Sequence, residues 1–207
     1  MTLRIGLLLL AYLVLAYLIG GIPFGYLLVW LKTGKDVRAM GSGNIGATNV
    51  LRTTGRGIGI LTLLLDMAKG YFAVWMMLRA THGDLLWASA AAVAVLLGHA
   101  FPVFLRFQGG KAVASFVGAF LCLAPAAVGV CALIFVATVA YSRYISLGSI
   151  LSAGVFPFVV AMFAYPEWPV IAAALLSSTL VIWRHRSNIE RLRAGKENVF
   201  RFGGKQA

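Results

Sequence analysis

Three polar segments interrupt an otherwise strongly apolar chain, and each carries groups suited to binding an anion. The first reads GSGNIGATNVLRTTGR, from residue 41 to residue 56. Its glycines let the backbone approach a ligand and turn N–H groups toward a negative charge, and its first arginine offers a fork-shaped donor for phosphate. No Walker-type G-x-x-x-x-G-K-[ST] pattern occurs, and a flexible loop with ordinary membrane-flanking charge is the alternative. The candidate binding residues are Gly41, Ser42, Gly43, Asn44, Gly46, Thr48, Asn49 and Arg52.

The second segment, GHAFPVFLRFQGGKAVAS, ends in a glycine pair and a lysine. Gly109, Gly110 and Lys111 directly precede an apolar run that predicts a helix. A helix N-terminus carries partial positive charge and unpaired N–H groups, and Lys111 adds a full charge there. An ordinary positive membrane anchor is the alternative. His99, near the end of the preceding apolar run, is predicted to be a hydrogen-bonded structural residue rather than a catalyst.

The third segment, RHRSNIERLRAGKEN, follows the last apolar run. Arg184, His185 and Asn188 emerge directly from it, and a continuing helix would keep His185 and Asn188 on one face. The alternative is an amphipathic basic tail lying on anionic lipid. That alternative fits Arg191, Arg193 and Lys196, but it leaves the histidine and the amide in one turn unexplained.

The composition indicates what positions these segments. Of the 207 residues, 61% are hydrophobic and only 12% are charged, with a mean hydropathy of +0.90. Soluble domains carry about 25% charged residues, so most of this chain must face lipid or other helices. We therefore predict an all-α, polytopic integral membrane helical bundle, with residues 1–207 as a single domain. The net charge of +12 then indicates loops near anionic lipid or anionic substrates, rather than nucleic acid.

The apolar runs predict about seven transmembrane helices, since about 20 apolar residues cross the hydrocarbon core. The first is a retained span loosened at Gly20, Gly21 and Pro23, and the long run 112–141 divides at Pro125 into two short helices joined by a tight hairpin. Five spans with re-entrant pieces are the alternative. The predicted spans are 5–31, 57–78, 85–105, 112–124, 126–141, 147–164 and 169–183.

The charge distribution orients these spans. In the seven-span arrangement one side collects fifteen Lys and Arg residues and the other only two, Arg4 and Arg79. The positive-inside rule places the N-terminus outside and the C-terminus in the cytoplasm. All three polar segments then share the cytoplasmic side, where we predict a single pocket for two anionic head groups. The fifteen are Lys32, Lys35, Arg38, Arg52, Arg56, Arg106, Lys111, Arg143, Arg184, Arg186, Arg191, Arg193, Lys196, Arg201 and Lys205.

Other ionisable or metal-binding groups are few. Asp66 and Lys69 lie in the second span at i and i+3, where they can neutralise each other. We predict a structural pair that helps orient the site, with a direct substrate role as the alternative. Cys122 and Cys131 fall in apolar runs and are predicted to be small buried hydrophobes. No metal site and no cofactor is predicted, because no cluster has ligand spacing.

Three motifs together carry a resemblance over essentially the whole chain: SGNIGATN followed by an arginine, GHAFPVFLRFQGGK, and RHRSNI with RLRAGKE. The sequence resembles the acyl-phosphate-dependent glycerol-3-phosphate acyltransferases of bacteria, the PlsY family. The resemblance implies a seven-helix inner-membrane enzyme with its site facing the cytoplasm. It would transfer a fatty acyl group from acyl phosphate to glycerol 3-phosphate, giving lysophosphatidic acid and phosphate. It also implies a soluble enzyme that makes the acyl phosphate as a working partner.

Carried onto matching positions, the resemblance implies a polar site made of Ser42, Arg52, Lys111, His185 and Asn188. We expect Arg52 and Lys111 to bind phosphate charge, and Ser42 with the loop N–H groups to hold the acyl phosphate or the oxyanion. His185 and Asn188 are expected to orient glycerol 3-phosphate. Phosphate already leaves well, so the protein mainly has to position the substrates and stabilise charge.

The general base is left open by the sequence. The H-x-x-x-x-D box of other glycerolipid acyltransferases is absent, because Phe104 stands five after His99 and Glu190 five after His185. We favour direct transfer with the substrate's own phosphate accepting the proton, then His185 as base, then an acyl-Ser42 intermediate.

Two other functional classes are alternatives to an enzyme. A transporter would need polar residues along a path near the membrane midplane and often a repeated half. A simple membrane anchor would not need His185 at all.

Overall fold

The computed structural model describes residues 2–163 and 167–200, and in this part of the chain all regular secondary structure is helical, with no strand. The prediction of an all-α fold is confirmed for these residues. Two short 3-10 helices, Val37–Ala39 and Val103–Leu105, lie within the connections. The α-helices are α1 Thr2–Gly21, α2 Phe24–Thr33, α3 Ala47–Thr54, α4 Arg56–Ala80, α5 Leu85–Ala100, α6 Val113–Leu123, α7 Pro125–Ser142, α8 Ile145–Phe163, α9 Trp168–Arg184 and α10 Arg186–Arg193.

Five described segments are long and apolar enough to cross a membrane. They are Arg4–Thr33, Arg56–Ala80, Leu85–Leu105, Pro125–Ser142 and Ile145–Phe163. Two further apolar helices, Val113–Leu123 and Trp168–Arg184, are shorter. These seven segments fall where the sequence predicts seven spans. The seven-span arrangement also predicts that YPEWP, residues 165–169, is a turn at the outer interface. Its first two residues, Tyr165 and Pro166, lie outside the described residues, as do the tail charges Arg201 and Lys205.

The helix surfaces are apolar and several polar side chains are buried, the reverse of a water-soluble bundle. Leu133, Phe158 and Met162 are 73%, 71% and 80% exposed. By contrast, Asp66 and Lys69 are almost fully buried. Large apolar side chains on the outside and ionisable groups inside are what a lipid environment requires.

The first predicted span is broken into two helices. α1 ends at Gly21 and α2 begins at Phe24, because Pro23 has no N–H to continue the helical hydrogen bonds. The Lys69 ammonium donates to the Ile22 carbonyl at the break over 2.8 Å. The second predicted division is also present, since Ala124 separates α6 from α7 and Pro125 is the first residue of α7.

The chain divides after Leu123 into two compact units. In the first unit, α1 packs on α5, and α4 packs on α6. Glycines permit both contacts, since a Cβ on Gly98 would overlap the Tyr17 carbonyl, and a Cβ on Gly118 would overlap the Met67 carbonyl. Small residues at such crossings let membrane helices approach closely.

In the second unit, α7, α8 and α9 pack in sequence. The Ser152 hydroxyl of α8 donates to the Cys131 carbonyl of α7 over 3.1 Å, which ties these helices together. The chain after α10 returns to the same helices, where the Phe200 N–H donates to the Arg143 carbonyl over 2.7 Å. The tail up to residue 200 is therefore fixed against the turn between α7 and α8.

Candidate active site

The first polar segment is built around the side chain of Asn49, which is buried. Its Oδ1 accepts from the Ser42 N–H over 2.8 Å. Its Nδ2 donates to the Asn44 carbonyl over 2.8 Å and to the Met40 carbonyl over 3.0 Å. Gly41 takes φ +55° beside this amide, and a Cβ there would overlap the Asn49 oxygen. The segment is thus an ordered loop wrapped around one amide, not the flexible loop that glycine content favours.

Helix α3 begins inside this segment, at Ala47, so Thr48, Asn49 and Arg52 are helical rather than in a loop. Two N–H groups expected to face an anion are already used: Gly46 donates to Asn44 Oδ1, and Gly43 to the Met40 carbonyl. The Ser42 side chain is exposed, and Thr48 and Arg52 are half-buried. The hydroxyl and the guanidinium are therefore the groups of this segment best placed to meet a ligand.

The second polar segment forms a closed loop between α5 and α6. The Gly110 N–H donates to the His99 carbonyl over 3.1 Å, so residues 99 and 110 meet at the base of the loop. This bond satisfies a carbonyl at the end of α5 that no longer has a helical partner. Lys111 is half-buried and lies two residues before α6. Its predicted place at a helix N-terminus is confirmed.

These two segments pack on a shared hydrophobic cluster in the first unit. Ile45 of the first segment and Leu105 of the second are both buried in a cluster with Val29, Val37 and Val50. A Cβ on Gly25 of α2 would overlap the Ile45 carbonyl, so the first segment lies tightly against α2. The structure therefore brings the serine and arginine segment and the glycine and lysine segment to one end of this unit.

A buried ion pair lies inside the first unit. The Lys69 ammonium and Asp66 Oδ1 are 2.8 Å apart, with side-chain exposures of 3% each. The predicted pairing is confirmed. His99, also buried, contacts Ser115 Oγ through Nδ1 at 3.2 Å, which confirms the prediction of a hydrogen-bonded histidine. These contacts place the four side chains in one internal polar cluster.

The third polar segment belongs to the second unit. His185 and Asn188 are both buried. The helix does not continue unbroken through this segment, because α9 ends at Arg184 and α10 starts at Arg186. His185 is the joint, and its carbonyl accepts from the Asn188 N–H over 2.8 Å, which keeps the two residues in one turn.

The His185 ring has a defined tautomer when neutral. Nδ1 lies 2.8 Å from the Val181 carbonyl, one helical turn earlier. A carbonyl oxygen can only accept, so Nδ1 carries the proton and Nε2 carries the lone pair. Nε2 is therefore the ring atom that can accept a hydrogen bond or a proton from a substrate hydroxyl.

Asn188 depends on a carboxylate that the sequence reasoning did not assign to the site. Glu197, buried near the end of the tail, accepts from Asn188 Nδ2 over 2.9 Å and from Arg191 Nε over 2.8 Å. The Asn188 Oδ1 has no hydrogen-bond partner among the described residues. Glu197 is one of two carboxylates among the tail cations, the other being Glu190, and nothing in the sequence distinguished it. Because Glu197 binds the amide nitrogen of Asn188, the amide oxygen points away from Glu197.

Arginine side chains near the first and the third polar segments are held by local partners. Asp36 accepts two hydrogen bonds from the Arg38 Nε and one from its Nη2, and the Arg38 guanidinium holds the pKa of this carboxyl below its usual range. Arg184 and Arg186 both lie over the Trp183 ring, at 5.9 Å and 4.4 Å from its centroid. These stacking contacts suit cations at a membrane interface.

Comparison with known proteins decides the family. A family model described as glycerol-3-phosphate acyltransferase matches residues 10–195. The chain belongs to the glycerol-3-phosphate acyltransferase family. A family member from Syntrophomonas wolfei, named glycerol-3-phosphate acyltransferase, is 45% identical over 187 residues, which cover 90% of this chain and 94% of the relative.

Two solved family structures share the fold. One is PlsY (YgiH), an integral membrane glycerol 3-phosphate acyltransferase, in its glycerol 3-phosphate form, with TM-score 0.88, 36% identity, and coverage of 93% of this chain and 96% of that one. The lysophosphatidic acid form gives TM-score 0.85 and 34% identity, covering 95% and 96%. The resemblance to the PlsY family is therefore confirmed. The chain is an acyltransferase and a multi-pass membrane protein.

Proposed function

We propose that this protein transfers a fatty acyl group from acyl phosphate to glycerol 3-phosphate, giving lysophosphatidic acid and inorganic phosphate. The solved PlsY forms, named for glycerol 3-phosphate and lysophosphatidic acid, support the acceptor and the product. One observation supports acyl phosphate as the donor: the segments that contain Arg52 and Lys111 lie at the same end of the first unit. There, one hydrophobic cluster underlies a serine and arginine segment and a glycine and lysine segment, and a phosphate-bearing donor and acceptor need two cationic contacts.

The reaction needs little covalent help from the protein. An acceptor hydroxyl oxygen attacks the acyl carbonyl carbon, the bond from that carbon to the phosphate oxygen breaks, and phosphate leaves. The hydroxyl proton passes to a phosphate oxygen of the substrate. Arg52 and Lys111 bind phosphate charge, and the exposed Ser42 hydroxyl donates to the acyl phosphate or to the developing oxyanion.

His185 and Asn188 orient glycerol 3-phosphate in this proposal. The Nε2 lone pair of His185 and the Oδ1 of Asn188 are acceptors, which suits the hydroxyl groups of a glycerol backbone. Both side chains are buried, so a substrate that reaches them is largely shielded from water. The same His185 nitrogen is the alternative proton acceptor. Gly41, Gly109 and Arg184 are further substrate contacts in this proposal, whereas Gly43, Gly46 and Gly110, whose N–H groups donate within the protein, shape the backbone around the site.

We further propose that the protein crosses the bacterial inner membrane seven times, with the N-terminus outside and the site facing the cytoplasm. The fifteen-to-two distribution of cations supports this orientation. Single cysteines at positions 42, 111 and 187, of which the last is an exposed position of the third segment, in a background lacking Cys122 and Cys131, should all react with a membrane-impermeant maleimide from the cytoplasmic side only. Labelling of any one of them from outside would contradict the orientation.

The deciding experiment is a donor comparison with purified protein. Glycerol 3-phosphate is supplied with acyl phosphate, acyl-CoA or acyl carrier protein, and lysophosphatidate and released phosphate are measured. We expect product with acyl phosphate alone. Arg52→Ala and Lys111→Ala should each lower kcat/KM about a hundredfold or more, while Lys35→Ala, which removes an exposed cation, should leave it unchanged. Full activity in both site variants would remove the proposed phosphate contacts.

A further inference from the structure

His99 contacts the chain on both sides of Lys111. Its carbonyl accepts the Gly110 N–H over 3.1 Å, and its ring nitrogen Nδ1 lies 3.2 Å from the Ser115 hydroxyl. Gly110 directly precedes Lys111, and Ser115 lies four residues after it, in the first turn of α6. One buried residue of α5 thus bridges the entrance and the exit of the lysine segment.

The ring itself sets the shape of the glycine turn. The three atoms that a Cβ on Gly110 would approach most closely are His99 Nε2, Cδ2 and Cε1. The ring edge therefore stands directly over the Gly110 backbone, and a side chain at this position would collide with it. The φ angle of Gly110 lies outside the left-handed region. Glycine is therefore required here by the lack of space beside the imidazole, not by the backbone conformation.

The backbone around the lysine also needs outside support. Ala112 has φ +63°, and Arg106 and Phe107 have φ +51° and +62°. Non-glycine residues in this region are uncommon, and they persist only where the surrounding structure fixes them. Three such residues within seven positions indicate a segment held from outside, and His99 is the buried polar residue that holds its base.

The internal ion pair lies beside the ring. Asp66 Oδ1 lies 3.7 Å from His99 Nδ1, which is too long for a hydrogen bond but places a carboxylate beside the same nitrogen. Lys69 binds that carboxylate and the Ile22 carbonyl. The polar cluster thus connects the break in the first span to the ring that supports the glycine turn.

We infer that His99 is a positioning residue that fixes Gly110, and thereby sets where the Lys111 ammonium meets a substrate phosphate. This role rests on the proposed function, in which Lys111 binds phosphate. It differs from that of an ordinary core histidine, because loosening the ring should weaken substrate binding before it weakens the fold.

The first test removes the partner of the ring and keeps the ring. Ser115→Ala should raise KM for glycerol 3-phosphate or for acyl phosphate roughly threefold to tenfold, the effect of one lost hydrogen bond, with kcat within about twofold of the wild type. Ser89→Ala is the matched control, because Ser89 is a buried serine of α5 without a hydrogen-bond partner among the described residues. Unchanged KM values for both substrates in Ser115→Ala would overturn the inference.

The second test uses the two glycines. A Cβ on Gly110 would meet the His99 ring, whereas a Cβ on Gly109 would meet the backbone carbonyls of His99 and Ala100. His99→Ala should therefore restore much of the melting temperature and substrate affinity lost in Gly110→Ala, and restore nothing in Gly109→Ala. Additive losses in both pairs would overturn the inference.

The two tests separate this inference from the proposed function. If the wild-type protein forms no lysophosphatidate from acyl phosphate, the proposed function fails, and the melting temperatures of the glycine pairs still report whether His99 holds Gly110. If the wild type is active but Ser115→Ala behaves like Ser89→Ala, the proposed function stands and the positioning role of His99 is lost.

Discussion

The two glycine segments of the first unit are held in different ways. The segment around Ser42 is stabilised from within, because Asn49 bonds to backbone groups five to nine residues before it. The turn at Gly110 and Lys111 is held by His99, the last but one residue of α5, whose carbonyl accepts the Gly110 N–H. The first loop is thus closed by a side chain of the short helix α3, whereas the lysine turn is closed onto the end of the long apolar helix α5. Two segments of similar glycine content are therefore held in their conformations by different kinds of contact.

Among changes to the residues that hold the polar segments in place, the largest effect on stability and activity should come from removing the Asn49 amide. Asn49→Ala leaves a Ser42 N–H and several carbonyls without their partner, which costs about 1–3 kcal/mol for each buried group left unpaired. We expect a melting temperature lower by several degrees and at least a tenfold loss of acyl transfer. Thermal unfolding and product formation measure both.

The controls separate the acceptor from the donors of this amide. Asn49→Asp keeps an oxygen toward Ser42 but faces carbonyls with a carboxylate, so it should be as damaging as alanine. Asn198→Ala, which changes an exposed amide of the tail, should have no effect. Wild-type melting in Asn49→Ala would show that the loop does not depend on its own amide.

A smaller effect should come from the third segment, in which the buried Glu197 holds the Asn188 amide nine residues before it. Glu197→Ala removes the partner of both Asn188 and Arg191, and we expect a loss in kcat/KM of about tenfold. Glu197→Gln keeps one acceptor for the Asn188 amide and should lose less. Steady-state kinetics with Glu190→Ala as the exposed control tests this ranking. Equal loss in the alanine and glutamine variants would mean that the charge, not the hydrogen bond, holds Asn188.

The smallest effect should come from the charge of Asp36, which precedes the first segment. Its pKa is lowered by the Arg38 guanidinium, so the paired carboxylate stabilises the fold above the unfolded pKa, and this contribution is lost as pH falls through the folded pKa. The two side chains are 37% and 32% exposed, so the contribution to unfolding free energy is less than about 1 kcal/mol.

Asp36→Asn isolates that charge, because asparagine can still accept the Arg38 N–H at the start of the 3-10 helix. We expect a slightly lower melting temperature than the wild type at pH 7, and a difference that shrinks as the pH falls through the lowered folded pKa of Asp36. A difference that grows toward low pH would reverse the sign and contradict the lowered pKa.

Hydrophobic run length allowed the helices to be predicted well, because lipid imposes a strong constraint on span length. Pro23 and Pro125 marked both helix interruptions for a local reason, the missing N–H. The pairing of Asp66 with Lys69 was also readable, since residues three apart share a helix face. Each of these features depends on neighbours within a few positions.

The contacts that hold the site residues in place could not be predicted from the sequence, because they do not follow from neighbours within a few positions. The glycines around Ser42 suggested flexibility, and nothing in their spacing showed that Asn49 would turn inward and that α3 would begin at Ala47. Glu197 and Asn188 are nine residues apart, with a helix end between them. His99 meets Gly110 only after a loop closes. Such contacts depend on the path of the chain, which residue types alone do not specify.

The bond between Lys69 and the Ile22 carbonyl has a consequence for biogenesis. The two residues are 47 positions apart, and a ribosome adds about 5 to 20 residues per second, so the ammonium is made roughly 2 to 10 s after the carbonyl. The newly inserted first span must spend that interval without its charged partner. Pro23 interrupts the span from the start, but the Ile22 carbonyl at this break receives the Lys69 ammonium only once α4 has entered.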